Sequence, residues 1–178
     1  MKPARIVGLS EMIYTTLNTL RAWNPCADGW HRLLTNLGKT EPDNEPLALV
    51  RILELNGLAD AIWALRTLDC ERETHLFAVA CARQVQHLMT DPRSVAALDV
   101  AERFANDQAN LDEIRTARAT AHDVAVNAGT VEDNAPAWAA VWATWGAVNG
   151  ASGEAARAAV DVAAAQEKQA ELFREIFS

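Results

Sequence analysis

The sequence lacks the residue patterns that mark most enzymes and metal proteins. It contains no GxSxG, no GxGxxG after a strand, no GxxxxGK[ST] and no HExxH, so acyl transfer, nucleotide binding and zinc-dependent hydrolysis have no starting motif. Its three cysteines, Cys26, Cys70 and Cys81, form no CxxC pair, which argues against a zinc knuckle or a disulfide framework. We therefore expect a non-enzymatic protein without metal or cofactor, whose cysteines are reduced and buried.

Positive charge and long apolar runs are also scarce. The sequence contains 16 basic and 24 acidic residues, and the resulting net charge of −8 repels nucleic-acid phosphates and anionic membrane surfaces. There is no run of about 18 apolar residues, and the first residues lack the apolar core of a secretory signal. These absences predict a protein of the bacterial or phage-infected cytoplasm that binds neither nucleic acid nor membrane directly.

Helix-capping residues and glycines divide the whole chain into short helical segments. Their number predicts an all-α protein of about eight or nine helices, with no room for a sheet. With 178 residues the chain fits one domain, residues 1–178, of which about 110–178 is the more regular part, rich in Ala and Trp. The sequence leaves two architectures open, a multi-helix bundle and a short solenoid-like stack.

Several helix boundaries follow from local chemistry. Ser10 can cap a first helix that ends at Trp23, and a second helix runs from Pro25 to Leu37. Gly38 stops the second helix. Each later helix is predicted between a start, often a capping residue with proline or glutamate, and a stop. These helices are Asn44 with Pro46 to Gly57, Leu58 to Leu68, Cys70 to Met89, Asp91 with Pro92 to Phe104, Asn110 with Glu113 to Ala128, Asn134 with Pro136 to Gly150, and Ser152 with Gly153 to Phe177.

Three tryptophans form the most informative pattern of the chain. Trp138, Trp142 and Trp145 are spaced i, i+4 and i+7 in AWAAVWATWGAV, which places their indoles on one face of a helix. Alanine buries little area, so the indoles must supply most of the packing energy of this segment. The stripe is either a core seam or a surface that docks a partner.

A second apolar stripe lies in the segment LFREIF. Leu172, Phe173, Ile176 and Phe177 share one face of a predicted helix. Such a helix docks on the protein's own core or inserts into the groove of another protein. Phe173 and Phe177 are therefore further candidates for partner binding.

Two residue pairs keep an enzymatic alternative open. Glu71 and His75 are one helical turn apart, a spacing that can orient an imidazole for acid–base chemistry. Cys26 lies at a predicted helix N-terminus, where the helix dipole favours a thiolate, and His31 follows it by five residues. Both pairs are more simply explained as ordinary surface or core residues.

Acidic clusters suggest another possible role. Negative side chains group at Glu41/Asp43/Glu45, Asp69/Glu71/Glu73, Asp112/Glu113 and Glu132/Asp133. Such groups can imitate phosphates and engage a basic groove of another protein, although carboxylates near helix N-termini are also favourable on their own.

Three long segments resemble a family of small proteins found in phages, prophages and bacterial genomes. They are NPCADGWHRLLTNLGKT, DNEPLALVRILELNGLADAIWALRTL and LFAVACARQVQHLMTDPRSVAALDVAERFAND, and KQAELFREIF near the end is similar as well. The family is described as immunity proteins with a helical domain. Between Arg115 and Gly153 the chain departs from the family pattern, and only the tryptophan rhythm is kept.

The resemblance implies a helical protein that neutralises a toxin by binding it, and it carries over no catalytic residue. The sequence therefore predicts an immunity or counter-defence protein that occludes a protein partner, either a toxin or a host defence component. One alternative is an anti-CRISPR-type acidic inhibitor of a nucleic-acid-binding complex. Another is a self-associating helical protein whose tryptophan stripe forms a homodimer.

Overall fold

A computed structural model of the chain describes residues 12–127 and 166–178. In these ranges the secondary structure is almost entirely helical, which confirms the all-α prediction. The predicted tryptophan helix with Trp138, Trp142 and Trp145 lies outside the described residues, as does Ser10. Among the described helices, none combines the length and apolar character needed to cross a membrane.

The described residues form two compact units, and the single domain predicted over residues 1–178 stays a prediction. The first unit comprises residues 12–70 and 173–178, and the second comprises residues 71–127 and 166–172. The elements of the first unit are β1 (Tyr14–Thr15), α1 (Leu17–Ala22), α2 (Ala27–Leu37), β2 (Leu47–Ala48), α3 (Leu49–Asn56) and α4 (Leu58–Leu65). Those of the second are α5 (Glu71–Gln84), a 3₁₀ turn (Gln86–Leu88), α6 (Pro92–Ala105) and α7 (Leu111–Asn127). The last helix, α8 (Gln166–Phe177), contributes residues to both units.

A small strand pair in the first unit corrects the expectation that no sheet forms. β1 and β2 pair antiparallel, with Tyr14 opposite Ala48 and Thr15 opposite Leu47. Because Tyr14 and Thr15 are extended, a first helix beginning at Ser10 is also wrong. The helix begins at Leu17, where the Oγ1 of Thr16 accepts a hydrogen bond from the Thr19 N–H at 3.1 Å and caps it.

The core of the first unit is built from leucines of its four helices and from the chain end. Backbone hydrogen bonds join distant segments there: the Ile13 N–H donates to the Phe177 carbonyl, and the Leu49 N–H donates to the Ile13 carbonyl. The fully or almost fully buried side chains include Leu17, Leu20, Leu33, Leu49, Ile52, Leu65 and Phe177.

The second unit packs α5 against α6 and α6 against α7. Arg72 near the start of α5 donates to Asn106 just after α6, and Arg83 further along α5 binds Asp99 and Glu102, so these two helices run antiparallel. The core draws buried side chains from all three helices and includes Phe77, Cys81, Val85, Leu98 and Ile114. Because α6 is the helix that packs against both others, the prediction that the helix at Cys70–Met89 is the central one is wrong.

Most local stop and start predictions are confirmed, but the helix start predicted at Asn44 with Pro46 is wrong, because Leu47 and Ala48 form β2 and α3 begins at Leu49. The Asp91 side chain caps α6 with Pro92 in its first turn, and Gly38 follows α2 in the left-handed conformation. Asn110 and Glu113 form the predicted capping box: the Asn110 Oδ1 accepts from the Glu113 N–H, and the Glu113 Oε2 accepts from the Asn110 N–H. These contacts depend on neighbouring residues only, which is why sequence alone can locate them.

Candidate functional site

The predicted partner-binding phenylalanines lie in the interior. Phe173 and Phe177 are both 0 % exposed, and their ring centroids are 4.5 Å apart. A buried ring offers no surface to another protein, so we assign both residues to the core instead of a docking surface. Trp138, Trp142 and Trp145 lie in the range outside the described residues.

The residues proposed for catalysis do not assemble into a catalytic pair. The Nδ1 of His75 lies 3.0 Å from the backbone carbonyl of Glu71 and not from its carboxylate, and the imidazole is buried. Cys26 and His31 are both exposed, and no hydrogen bond joins them. Across the described residues, no cluster of His, Cys, Asp and Glu is suited to hold a metal ion.

Two of the acidic clusters that the structure describes contain carboxylates paired with basic side chains. Lys39 binds both Asp43 and Glu45. The Glu113 carboxylate accepts from the Asn110 N–H and from Arg103, and these contacts lower the pKa of Glu113 below its ordinary value. Paired carboxylates project less negative potential, so these clusters lend no particular support to phosphate imitation, and the acidic-inhibitor alternative stays a prediction.

A concave pocket in the first unit is the best candidate for a functional site. Its volume is about 180 Å³, and most of its wall is apolar. Two tryptophans from different helices, Trp30 of α2 and Trp63 of α4, line it together. The remaining lining residues are Leu20, Pro25, Cys26, Gly29, Leu33, Ile52, Asn56, Ala59, Asp60 and Ala64. We call this feature the α2–α4 pocket.

One side of the α2–α4 pocket is a polar corner. The Nδ2 of Asn56 donates to the Gly29 carbonyl and to the Asp60 Oδ2, both at 2.8 Å. The same Oδ2 accepts from the Arg32 Nη2 at 2.7 Å, and this hydrogen bond raises the pKa of Arg32 above its ordinary value. The carboxylate packs so closely on α2 that a Cβ built on Gly29 would lie 3.0 Å from the Asp60 Oδ2 and from the Cys26 Sγ. Glycine at position 29 therefore lets α4 approach α2.

An arginine lies over each tryptophan of the α2–α4 pocket. The Cζ of Arg21 lies 5.5 Å from the ring centroid of Trp30, and the Cζ of Arg66 lies 5.4 Å from that of Trp63, which are cation–π distances. Trp23, between Arg21 and Pro25 in sequence, is 53 % exposed. We call these five residues, Arg21, Trp23, Trp30, Trp63 and Arg66, the tryptophan–arginine face.

Sequence reasoning missed this site because it concentrated on the tryptophans that repeat at helical spacing. Trp30 and Trp63 lie on different helices, so no periodicity links them. Asn56 and Asp60 are four residues apart on either side of Gly57, which gave the only local indication that two polar groups share a face.

The three cysteines differ in exposure, which corrects the expectation that all are buried. Cys70 and Cys81 are buried, whereas Cys26, the N-cap residue of α2, is exposed. Burial raises the pKa of the Cys81 thiol to about 12. The reactive thiolate is therefore suppressed at Cys81.

We expect iodoacetamide at pH 8 to alkylate Cys26 in the native protein and to leave Cys70 and Cys81 unmodified, because reaction needs an accessible thiolate. Peptide mass spectrometry at successive times measures the labelling of each thiol, and the protein in guanidinium chloride is the positive control. Rapid labelling of Cys81 would contradict its burial. A rate for Cys26 well above that of free glutathione would favour the enzymatic alternative instead.

Comparison of the chain with protein-family models, with curated proteins and with solved structures finds no match. The function is accordingly inferred from the residues of the α2–α4 pocket and its surroundings.

Proposed function

We propose that the chain is a non-enzymatic protein-binding module that acts as an immunity or counter-defence protein by occluding a protein partner stoichiometrically. The observation that carries this proposal is the tryptophan–arginine face around the α2–α4 pocket. The family resemblance of the sequence supplies the expected partner, a toxin or a host defence component. The proposed site of action is the bacterial cytoplasm.

The composition of this face is that of a binding surface. Tryptophan and arginine are enriched among the residues that dominate interface energies, and lysine and glutamate are depleted there. Trp23 is 53 % exposed, so its ring is accessible to a partner. Two arginines already lie over the rings of Trp30 and Trp63, so these side chains are partly ordered before binding.

The concave shape supports the same proposal. Anchor side chains of one protein commonly fill pockets of the other at the centre of an interface, where water is excluded. The α2–α4 pocket is such a cavity, and its lining is preorganised by the hydrogen bonds of Asn56 and Arg32 to Asp60. A rigid pocket reduces the entropy that is lost on binding.

The test is quantitative capture of partners from lysates of the native host, using wild-type protein and two variants. Trp23→Ala removes an exposed ring of the face, and Val126→Ala is the matched control because Val126 is also exposed but lies on α7. We expect one protein to be captured in equimolar amount by wild type and by Val126→Ala, and at least about tenfold less by Trp23→Ala, a difference of about 1.4 kcal/mol.

Equal capture by all three proteins, or no capture by any, would contradict the proposal. Size-exclusion chromatography over a range of concentrations covers the self-association alternative. A homodimer that forms with wild type and is lost with Trp23→Ala would show that the face pairs with a second copy of the chain.

A further inference from the structure

The junction between α3 and α4 contains a dipeptide that is prone to spontaneous deamidation. In an Asn–Gly sequence the backbone nitrogen of the glycine can attack the side-chain amide of the asparagine, because glycine has no Cβ to hinder the approach. The chain holds two such pairs, Asn56–Gly57 and Asn149–Gly150, and the second lies outside the described residues. Asn56–Gly57 is therefore the one pair for which the structure shows what surrounds the reacting atoms.

Deamidation at this pair needs no reactant other than water. The backbone nitrogen of Gly57 loses its proton and attacks the Cγ of Asn56, so that a C–N bond forms, the Cγ–Nδ2 bond breaks and ammonia leaves. The cyclic succinimide that results takes up a water molecule at either of its carbonyls. The products are aspartate, which keeps the original main chain, and isoaspartate, whose main chain is longer by a methylene group.

The native structure opposes each step of this reaction. The Gly57 N–H donates to the Leu53 carbonyl at 2.9 Å, so the attacking nitrogen must first leave the end of α3. The Nδ2 of Asn56 donates to the Gly29 carbonyl and to the Asp60 Oδ2, both at 2.8 Å, which fixes the side chain. The Oδ1 of the same amide is buried, so water is excluded from it. The reaction therefore requires local opening of the α3–α4 junction.

Both residues of the labile pair are required by the fold. Gly57 has φ 89° and ψ 174°, a backbone region that is almost restricted to glycine. Asn56 presents an NH₂ group to two acceptors, and a carboxylate at the same place would have no hydrogen to donate to either. The chain therefore retains Asn–Gly at this junction for structural reasons, and the surrounding contacts protect it.

The aspartate product cannot rebuild the polar corner. Its oxygens would face the Gly29 carbonyl and the Asp60 carboxylate, which are both acceptors and lie 2.8 Å from the present Nδ2. Arg32 binds Asp60 at 2.7 Å, and its guanidinium would have to balance two carboxylates instead of one. Two carboxylates that share a partly buried site repel each other, so the ionised product disfavours closure.

The isoaspartate product disturbs the backbone instead. Gly57 donates to the Leu53 carbonyl of α3 and accepts from the Ala61 N–H of α4, so it joins the hydrogen bonds of both helices. An added methylene group directly before Gly57 moves its N–H relative to α3. The two bonds can then no longer both form in the present geometry.

We propose that Asn56 is a latent self-modification site. The closed α3–α4 junction protects it, an opened junction lets Gly57 deamidate it, and the product prevents the junction from closing again. Because Asn56 and Asp60 form the polar corner of the α2–α4 pocket, the modification disrupts this pocket irreversibly. The proposal goes beyond the proposed function and needs no partner.

The first test compares the native protein with the protein in guanidinium chloride, both incubated at pH 8. Peptide mass spectrometry, with aspartate and isoaspartate peptides separated by chromatography, measures the conversion. In denaturant we expect Asn56 and Asn149 to convert at similar rates, because both Asn–Gly pairs are then exposed. In the native protein we expect Asn56 to convert at least about tenfold more slowly than in denaturant, since the reaction must wait for local opening.

Two variants test whether the polar corner provides the protection. Asp60→Ala removes an acceptor of the Asn56 amide, and we expect it to speed native conversion of Asn56 at least about tenfold, the effect of losing a hydrogen bond to a charged group. Asp99→Ala is the matched control because Asp99 also binds an arginine, Arg83, at 2.7 Å, but lies on α6. We expect it to leave the rate unchanged.

Should Asp60→Ala unfold, wild type in urea below its unfolding midpoint replaces it. Urea then opens the junction, and conversion of Asn56 should rise with urea concentration.

Asn56→Asp tests the effect of the product. We expect it to raise the equilibrium constant of unfolding at least about tenfold, because it loses both hydrogen bonds of the amide and adds a like charge. Asn36→Asp makes the same chemical change at an exposed residue whose Nδ2 donates to a single carbonyl, that of Leu55. We expect its unfolding midpoint to stay close to that of wild type.

Four results would overturn the proposal. Conversion of Asn56 as fast in the native protein as in denaturant would show that the corner gives no protection. Absence of conversion in denaturant would show that the pair is not labile. A native rate in Asp60→Ala equal to or below that of wild type would remove Asp60 as a protecting group. Wild-type stability of Asn56→Asp would show that the junction tolerates the product.

Discussion

Replacing Phe177 with alanine is expected to lower the free energy of unfolding by about 3–5 kcal/mol. The ring is 0 % exposed and lies against that of Phe173, with centroids 4.5 Å apart, so its removal leaves a cavity and loses the favourable burial of a large apolar side chain. Urea denaturation followed by circular dichroism measures the change, because the midpoint falls while the slope stays constant.

The substitution Trp23→Ala is the control for Phe177→Ala. Trp23 is also a large aromatic residue of the first unit but is 53 % exposed, and we expect its truncation to change the stability by no more than about 0.5 kcal/mol. An unchanged midpoint for Phe177→Ala would mean that the chain end is not part of the core. The phenylalanine would then return as a candidate for partner binding, as its sequence pattern allows.

The C-terminal helix illustrates what an apolar stripe can and cannot predict. The spacing of Phe173 and Phe177 correctly indicated a helix with one apolar face. The same pattern is required for packing on the protein's own core and for insertion into a partner, so it could not distinguish the two. The distinction depends on contacts with residues far away in sequence, such as the bond from the Ile13 N–H to the Phe177 carbonyl.

Helix ends were predictable where the chemistry is local. A capping residue acts on backbone groups only a few residues away, so the local sequence is enough to locate the helix end. Examples are Asp91 with Pro92, Asn110 with Glu113, and Gly38. The strand pair of Tyr14 with Ala48 was missed because it is only two residues long on each side and joins segments that are distant in sequence.

The candidate site was the least predictable feature. Its parts come from separate helices: Trp30 and Arg32 from α2, Trp63 and Asp60 from α4, and Asn56 from the end of α3. Apart from Asn56 and Asp60, which are four residues apart, none of these residues repeats at a period that would mark a shared face. Only the packing of the helices brings the aromatic rings and the carboxylate together around one pocket.

The substitution Gly57→Ala is expected to lower the free energy of unfolding by about 3 kcal/mol. Gly57 has φ 89° and ψ 174°, a backbone region that is almost restricted to glycine because a Cβ collides there with the residue's own backbone. A Cβ at this position meets no other atom within 4 Å, so the effect is purely conformational. Thermal and urea unfolding measure it.

Gly38→Ala is the matched comparison. Gly38 also has a positive φ, of 68°, and no atom within 4 Å of a built Cβ, but its left-handed helical conformation is accessible to other residues at a cost of about 1 kcal/mol. The two variants therefore carry the same chemical change in different backbone regions. Equal stabilities for both would contradict the assignment of Gly57 to the glycine-restricted region.

Gly57 also connects the fold to the pocket. Its N–H donates to the Leu53 carbonyl in α3, and its carbonyl accepts from the Ala61 N–H in α4, so its dihedral angles set the direction in which α4 leaves α3. Those two helices carry Asn56 and Asp60, whose 2.8 Å hydrogen bond forms the polar corner. A backbone forced away from φ 89° must displace one of these groups from the other. We therefore expect Gly57→Ala to shift the side-chain amide resonances of Asn56 under conditions where the protein remains folded, and Gly38→Ala to leave them unchanged.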